Sequence, residues 1–161
     1  MASSERASAG KTLVSYDPGK KHNAFLLWDL KTNKPIDAKL MEFTSFQNAY
    51  VKMKKFSWLR DAETIVIEEQ FPCSILEVRD YSTLVRSLFF DKVVTFRPSA
   101  WRRRLKVDKG SYYQNKKSSK EVVEADGELI SVLQRADIER EDWAHFGDCV
   151  QFIKYWELKC G

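Results

Sequence analysis

No stretch of the 161-residue chain approaches the ~20 consecutive apolar residues that a membrane-spanning helix needs. No apolar centre follows the first methionine: residues 1–10 are small and polar, unlike a secretory signal, and are expected to form a disordered tail. An intracellular protein is therefore expected. Cysteine is sparse. Cys73, Cys149 and Cys160 are odd in number and far apart, which argues against a disulfide framework. There is no internal repeat and no sign of a second domain, so residues 11–161 are expected to fold as one unit. A complete phosphate-binding loop is missing too. Gly10-Lys11-Thr12 matches the end of that motif, but Glu5 stands where its first glycine belongs, and the triplet precedes a strand instead of opening a helix.

What the chain does have is an uneven charge. The net charge is only +4, yet nine basic residues lie between Arg97 and Lys120 and only Asp108 opposes them. Such a concentration suits a polyanion, most simply nucleic acid, whereas a merely solvated loop would not need Trp101, Tyr112 and Tyr113 interleaved with the charges, where they could stack bases.

Strands are expected over Thr12–Asp17, His22–Leu30 and Ile36–Phe43, forming an antiparallel meander. A helix over Ser45–Leu59 follows, with Ser45 as its N-cap and Phe46, Tyr50, Met53 and Phe56 at helical spacing. A buried strand over Thr64–Ile67 ends at Glu68 and Glu69, a helix runs over Ser74–Phe90, and a short strand over Lys92–Phe96. Pro98 opens a helix to Leu105, and Lys106–Lys117 reads as a mobile loop around Gly110. Ser118 or Ser119 caps a helix to about Gln134, and Glu141–Leu158 is the last helix. Three antiparallel strands followed by alternating helices and strands imply an α/β fold, a mixed sheet with helices on its faces.

Asp17 ends the first strand at an Asp-Pro-Gly turn, and a carboxylate there is costly unless paired. It either caps local amides of the turn or meets a cation. Glu68 and Glu69 end another buried strand, and strand alternation alone does not choose between them. On the last helix His145 and Asp148 are three residues apart and share a face. If that helix crosses the sheet, Asp17, Glu68, His145 and Asp148 meet at one end. Hard oxygens suit Mg²⁺, an imidazole admits Mn²⁺, and two such ions can clamp the attacking and leaving oxygens of a phosphodiester displacement. A rival reading pairs His145 with Cys149 as zinc ligands, but no second Cys/His pair stands at zinc spacing.

The motifs SYDPGKK, IVIEEQF and HFGDCVQFIKYW together resemble RuvC-type Holliday junction resolvases of the ribonuclease H-like superfamily, from about Leu13 to Tyr155. The shortness of the chain and its basic insert look more like the resolvases of poxviruses and other large DNA viruses. The resemblance implies a five-stranded ribonuclease H-like sheet and a metal-dependent endonuclease that resolves four-way DNA junctions as a homodimer by paired nicks, with no membrane. For a poxvirus-type member, the host-cell cytoplasm would be its compartment. It makes Asp17, Glu68 (favoured over Glu69), His145 and Asp148 the ligands of two Mg²⁺, with Mn²⁺ able to substitute. It makes Lys120 the catalytic lysine that steadies charge at the scissile phosphate, and sets Arg102 where the family has a lysine. Phe71 falls where the family has an aromatic near the junction centre. Arg102, Arg103, Arg104, Lys116 and Lys117 are the expected phosphate contacts. The helix Ser74–Phe90 serves either as the dimer face or as core. A hybrid- or flap-cutting nuclease of the same superfamily, a non-catalytic junction-binding protein and a single-strand RNA-binding domain are the alternatives.

Overall fold

Residues 11–69, 75–97, 101, 104–105 and 112–160 are described by the computed structural model. The expected tail, Phe71, Arg102, Arg103 and most of the segment from Pro98 to Gly110 lie outside the described residues.

Strands β1 (Thr12–Asp17), β2 (Asn23–Asp29), β3 (Lys34–Met41), β4 (Thr64–Glu68) and β5 (Val93–Phe96) form one sheet in the order β3-β2-β1-β4-β5. The first three pair antiparallel, while β1–β4 and β4–β5 are parallel, which is the mixed sheet expected from the sequence. Helices α1 (Phe46–Lys55), α2 (Ser57–Asp61) and α3 (Leu76–Leu88) cover one face, and α4 (Tyr112–Glu124), α5 (Gly127–Arg135) and α6 (Trp143–Cys160) the other.

Strand alternation divides the core cleanly. Val14, Tyr16, Phe25, Ile65 and Ile67 face α1–α3, whereas Leu13, Ala24, Leu26, Val66 and Phe96 face α4–α6. Buried on both faces, the central strands read as nearly continuous apolar runs. Helix α6 is enclosed between the sheet and α4, so Phe146, Cys149, Val150, Phe152, Ile153 and Tyr155 are all buried on different sides of it.

Several boundaries differ from the sequence reading, each for a physical reason. Strand β3 begins at Lys34, two residues before the expected start at Ile36, and so contains Pro35. Proline is tolerated because β3 is an edge strand with a bulge: Trp28 pairs with Pro35 and Leu27 with Asp37, leaving Ile36 out of the ladder. The first expected helix is two. Ser45 caps α1 through the Asn48 amide as foreseen, but Phe56 is extended and its ring packs edge-on to Phe25, which redirects the chain into α2. Ala49, Met53, Phe56 and Leu59 carry the burial there, while Phe46 and Tyr50 are exposed.

The largest correction concerns the basic stretch. Helix α4 begins at Tyr112, so Lys116 and Lys117 are helical instead of lying in a loop. Ser119 is not a cap. It sits in mid-helix with its hydroxyl 3.0 Å from the Asn115 carbonyl, the back-bond available to a helical serine. The cap lies further on, where the Asp126 side chain accepts from the Leu129 amide and starts α5, dividing the helix expected to run to Gln134. On α3, Val78, Tyr81, Leu84 and Val85 are core, whereas Ile75, Leu76 and Phe90 at its ends are exposed.

Candidate metal centre

Asp17 is presented by a turn that Asn23 holds shut. The buried Asn23 side chain accepts the Tyr16 hydroxyl at 2.6 Å and the Gly19 amide at 3.1 Å, and donates to the Met41 carbonyl at 3.5 Å. Burial keeps the Tyr16 hydroxyl protonated by pushing its pKa well up, so it remains a donor. Gly19 is required at this turn because a Cβ would lie 2.2 Å from the His22 carbonyl oxygen.

In the parallel register Tyr16 stands beside Ile67, so the next residues, Asp17 and Glu68, end neighbouring strands at the same end of the sheet. Both continue the alternation onto the α6 face, while Glu69 continues onto the other. Glu68 accepts a hydrogen bond from the indole of Trp101. That indole is buried and packs edge-on against Phe152 at 5.4 Å, so Trp101 is a core residue holding Glu68 and not the base-stacking aromatic expected from its basic surroundings.

Helix α6 brings the other two groups. Ser15 donates to the Cys149 carbonyl at 2.8 Å, pinning α6 over β1. His145 Nδ1 then lies 3.3 Å from Asp17 Oδ2, across 128 residues of chain. Asp148, on the same helix face, meets α4: Ser119 donates to its Oδ1, and Lys116 Nζ lies 3.3 Å from its Oδ2. Burial raises the Asp148 carboxyl, Asp17 raises it further, and Lys116 and Ser119 offset part of this. Cys149 points elsewhere, with its thiol 3.8 Å from the Ala24 carbonyl and its pKa pushed well up by burial, which removes it as a zinc partner of His145.

Asp17, His145 and Asp148 are thus gathered on one end of the sheet, with Glu68 ending the adjacent strand. As the side chains stand, no three His, Cys, Asp or Glu groups among the described residues are close enough together to hold an ion. The donor chemistry nevertheless fits a hard divalent cation: carboxylates on two strand ends and a helix, one imidazole, and an Asp148 charge that burial and Asp17 both disfavour until a cation is near. Lys120, the expected catalytic lysine, is half-buried one turn beyond Lys116 on α4. Among the described residues the lysine in contact with the cluster is Lys116, which the sequence places only as a phosphate contact. Its spacing of three from Ser119 is the signal that could have placed it on the inner face of α4. Arg104 is exposed.

The sheet order β3-β2-β1-β4-β5 with α6 crossing it is a ribonuclease H-like fold. No protein-family model and no curated protein sequence matches the chain. Solved structures do. The crystal structure of fowlpox virus resolvase with its substrate Holliday junction DNA is similar with a TM-score of 0.64 at 19% identity, over 93% of this chain and 99% of that one. The structure of Thermus thermophilus RuvC is similar with a TM-score of 0.57 at 12% identity, over 91% of this chain and 95% of that one. At such identities the likeness establishes the fold.

Proposed function

We propose that the chain is a metal-dependent endonuclease that resolves four-way (Holliday) DNA junctions by paired symmetric nicks. The observation that carries this reading is the meeting of Asp17 with His145, from chain segments 128 residues apart, in a fold shared with resolvases over more than nine-tenths of the chain. A structural role alone does not call for an aspartate and a histidine in contact at a strand end with a second acidic residue buried beside them.

Asp17, Glu68, His145 and Asp148 would hold two Mg²⁺, with Mn²⁺ able to substitute. Bound there, the ions supply activation of a water and neutralisation of charge at the phosphodiester. The chain's own residues do the rest. Trp101 orients Glu68, and Lys116 balances part of the Asp148 charge before any ion arrives, which lets the acidic cluster exist in the metal-free fold. Lys120, on the same helix, steadies negative charge developing on the scissile phosphate. Arg102, Arg103, Arg104, Lys116 and Lys117 hold backbone phosphates, and Phe71 contacts the junction centre. A C2 homodimer supplies two sites for paired nicks, and α3, with Ile75, Leu76 and Phe90 exposed at its ends, offers the dimer face. Among the described residues no helix is long and apolar enough to cross a membrane. Host-cell cytoplasm is the compartment that goes with this reading.

The test is cleavage of an end-labelled mobile four-way junction in Mg²⁺ and in Mn²⁺, beside Asp17→Asn, linear duplex and RNA–DNA hybrid. Paired nicks confined to the junction and absent in Asp17→Asn are the expected result. Cleavage of the hybrid instead would assign the chain to another nuclease class. Tight junction binding without cleavage would leave a DNA-binding protein.

A further inference from the structure

Ser119 is nearly fully buried at 3% exposure, in the middle of α4 where it crosses α6. A serine there is not the residue that helix stability selects. Alanine has the higher helix propensity and no hydroxyl to bury. The one proton of the serine hydroxyl lies within reach of both the Asn115 carbonyl and the Asp148 carboxylate, and the charged carboxylate is the stronger acceptor. What a serine adds at this place is a donor to Asp148 Oδ1, itself on a residue only 7% exposed. The crossing leaves the donor little freedom, because Gly147 of α6 lies against the Ser119 backbone. The two oxygens of Asp148 are thereby divided. Oδ1 is held by a neutral donor, and Oδ2 faces the ammonium of Lys116 at 3.3 Å. The hydroxyl sits on a short side chain locked in the helix crossing, whereas the ammonium rides on a flexible four-carbon stem and can swing from Oδ2 to a phosphate when a divalent cation arrives.

From this division we infer that Ser119 is a positioning residue for metal binding: it fixes Asp148 through Oδ1 and leaves Oδ2 as the oxygen that a divalent cation takes. The inference rests on the proposed metal-dependent nuclease site. A partner that orients a ligand in this way is worth about ten- to a hundred-fold in metal affinity.

The experiment compares the full chain with Ser119→Ala and Ser119→Cys. Mn²⁺ binding without DNA is measured by calorimetry, cleavage is followed across a Mg²⁺ titration, and junction binding and melting are measured in EDTA. Ser119→Ala is expected to weaken Mn²⁺ binding about ten- to a hundred-fold. Its cleavage rate should recover at saturating Mg²⁺, with junction binding unchanged. The weak thiol donor of Ser119→Cys should fall between the two and leaves no void where the hydroxyl stood, so it carries the comparison if the alanine variant does not fold. Unchanged Mn²⁺ affinity in Ser119→Ala overturns the inference, and so does a rate loss that no Mg²⁺ concentration restores, which would make Ser119 a support of the helix crossing. A wild type that neither binds Mn²⁺ nor cuts overturns the nuclease reading itself, and this inference with it.

Discussion

Gly147 passes so close to Ser119 that a Cβ on it would stand 1.9 Å from the Ser119 carbonyl oxygen and 2.6 Å from its carbonyl carbon. In most helices Gly→Ala stabilises by about 1 kcal/mol. Here the obstacle is backbone, which cannot rotate away, and the cost of overpacking is about 1–3 kcal/mol. The clash therefore wins. Gly147→Ala is expected to lower Tm in EDTA and, by pushing α4 outward, to raise the Mg²⁺ concentration needed for cleavage. Thermal melts beside a Mg²⁺ titration check both, and a variant as stable as wild type would show that the helices separate without cost.

Asp148 sets stability against binding. Burial and the neighbouring Asp17 raise its carboxyl above the ordinary carboxylate value. An acid whose pKa is higher folded than unfolded favours folding while protonated, and that contribution is lost as pH rises through the folded value. At neutral pH its ionisation therefore costs stability. Asn removes the charge yet can still accept from Ser119. Asp148→Asn is expected to melt higher than wild type in EDTA at neutral pH, and to lose the rise in Tm that Mg²⁺ gives wild type. Paired melts with and without Mg²⁺ decide it. A lower Tm in EDTA would mean that the Lys116 contact outweighs the burial cost.

Glu68 and Glu69 are separated by the faces they occupy. Glu68→Gln is expected to cut cleavage about 100-fold or more. Glu69→Gln, on the opposite face, should stay within a few-fold of wild type. Single-turnover cleavage at saturating junction measures both, and equal losses would dissolve the distinction.

The turn bearing Asp17 depends on Asn23. Asn23→Ala leaves the buried Tyr16 hydroxyl without its acceptor and frees the Gly19 amide. A loss of about 1–3 kcal/mol is expected, read from the urea midpoint. If stability is lost while cleavage by the folded fraction is unchanged, Asn23 serves the fold and not the placement of Asp17.

Where local pattern and tertiary environment agree, the sequence is read without difficulty. Thr12–Asp17 is bounded residue for residue because its apolar run is closed by Asp-Pro-Gly, and Ser45 is a cap by the same local logic. Pro35 misleads because only the sheet order reveals that its strand is an edge. Trp101 misleads because its neighbours are basic while its indole is buried, a fact held in the packing of Phe152 and not in adjacent residues. Asp17, Glu68, His145 and Asp148 could be nominated from strand ends and a spacing of three. That α4 supplies Ser119 and Lys116 was legible only in their spacing of three, which capping preference masked by drawing Ser119 to a helix start and charge by drawing Lys116 to a loop.

The contact between Asp17 and His145 joins residues made 128 positions apart. Synthesis runs in one direction, so a growing chain carries the first carboxylate long before the imidazole or Asp148 exists. The strands can pair during that interval, but the acidic centre has no helical half. For the proposed nuclease this is a built-in delay: the acidic centre stays incomplete until α6 docks on β1, and a product ending before His145 has no centre to complete.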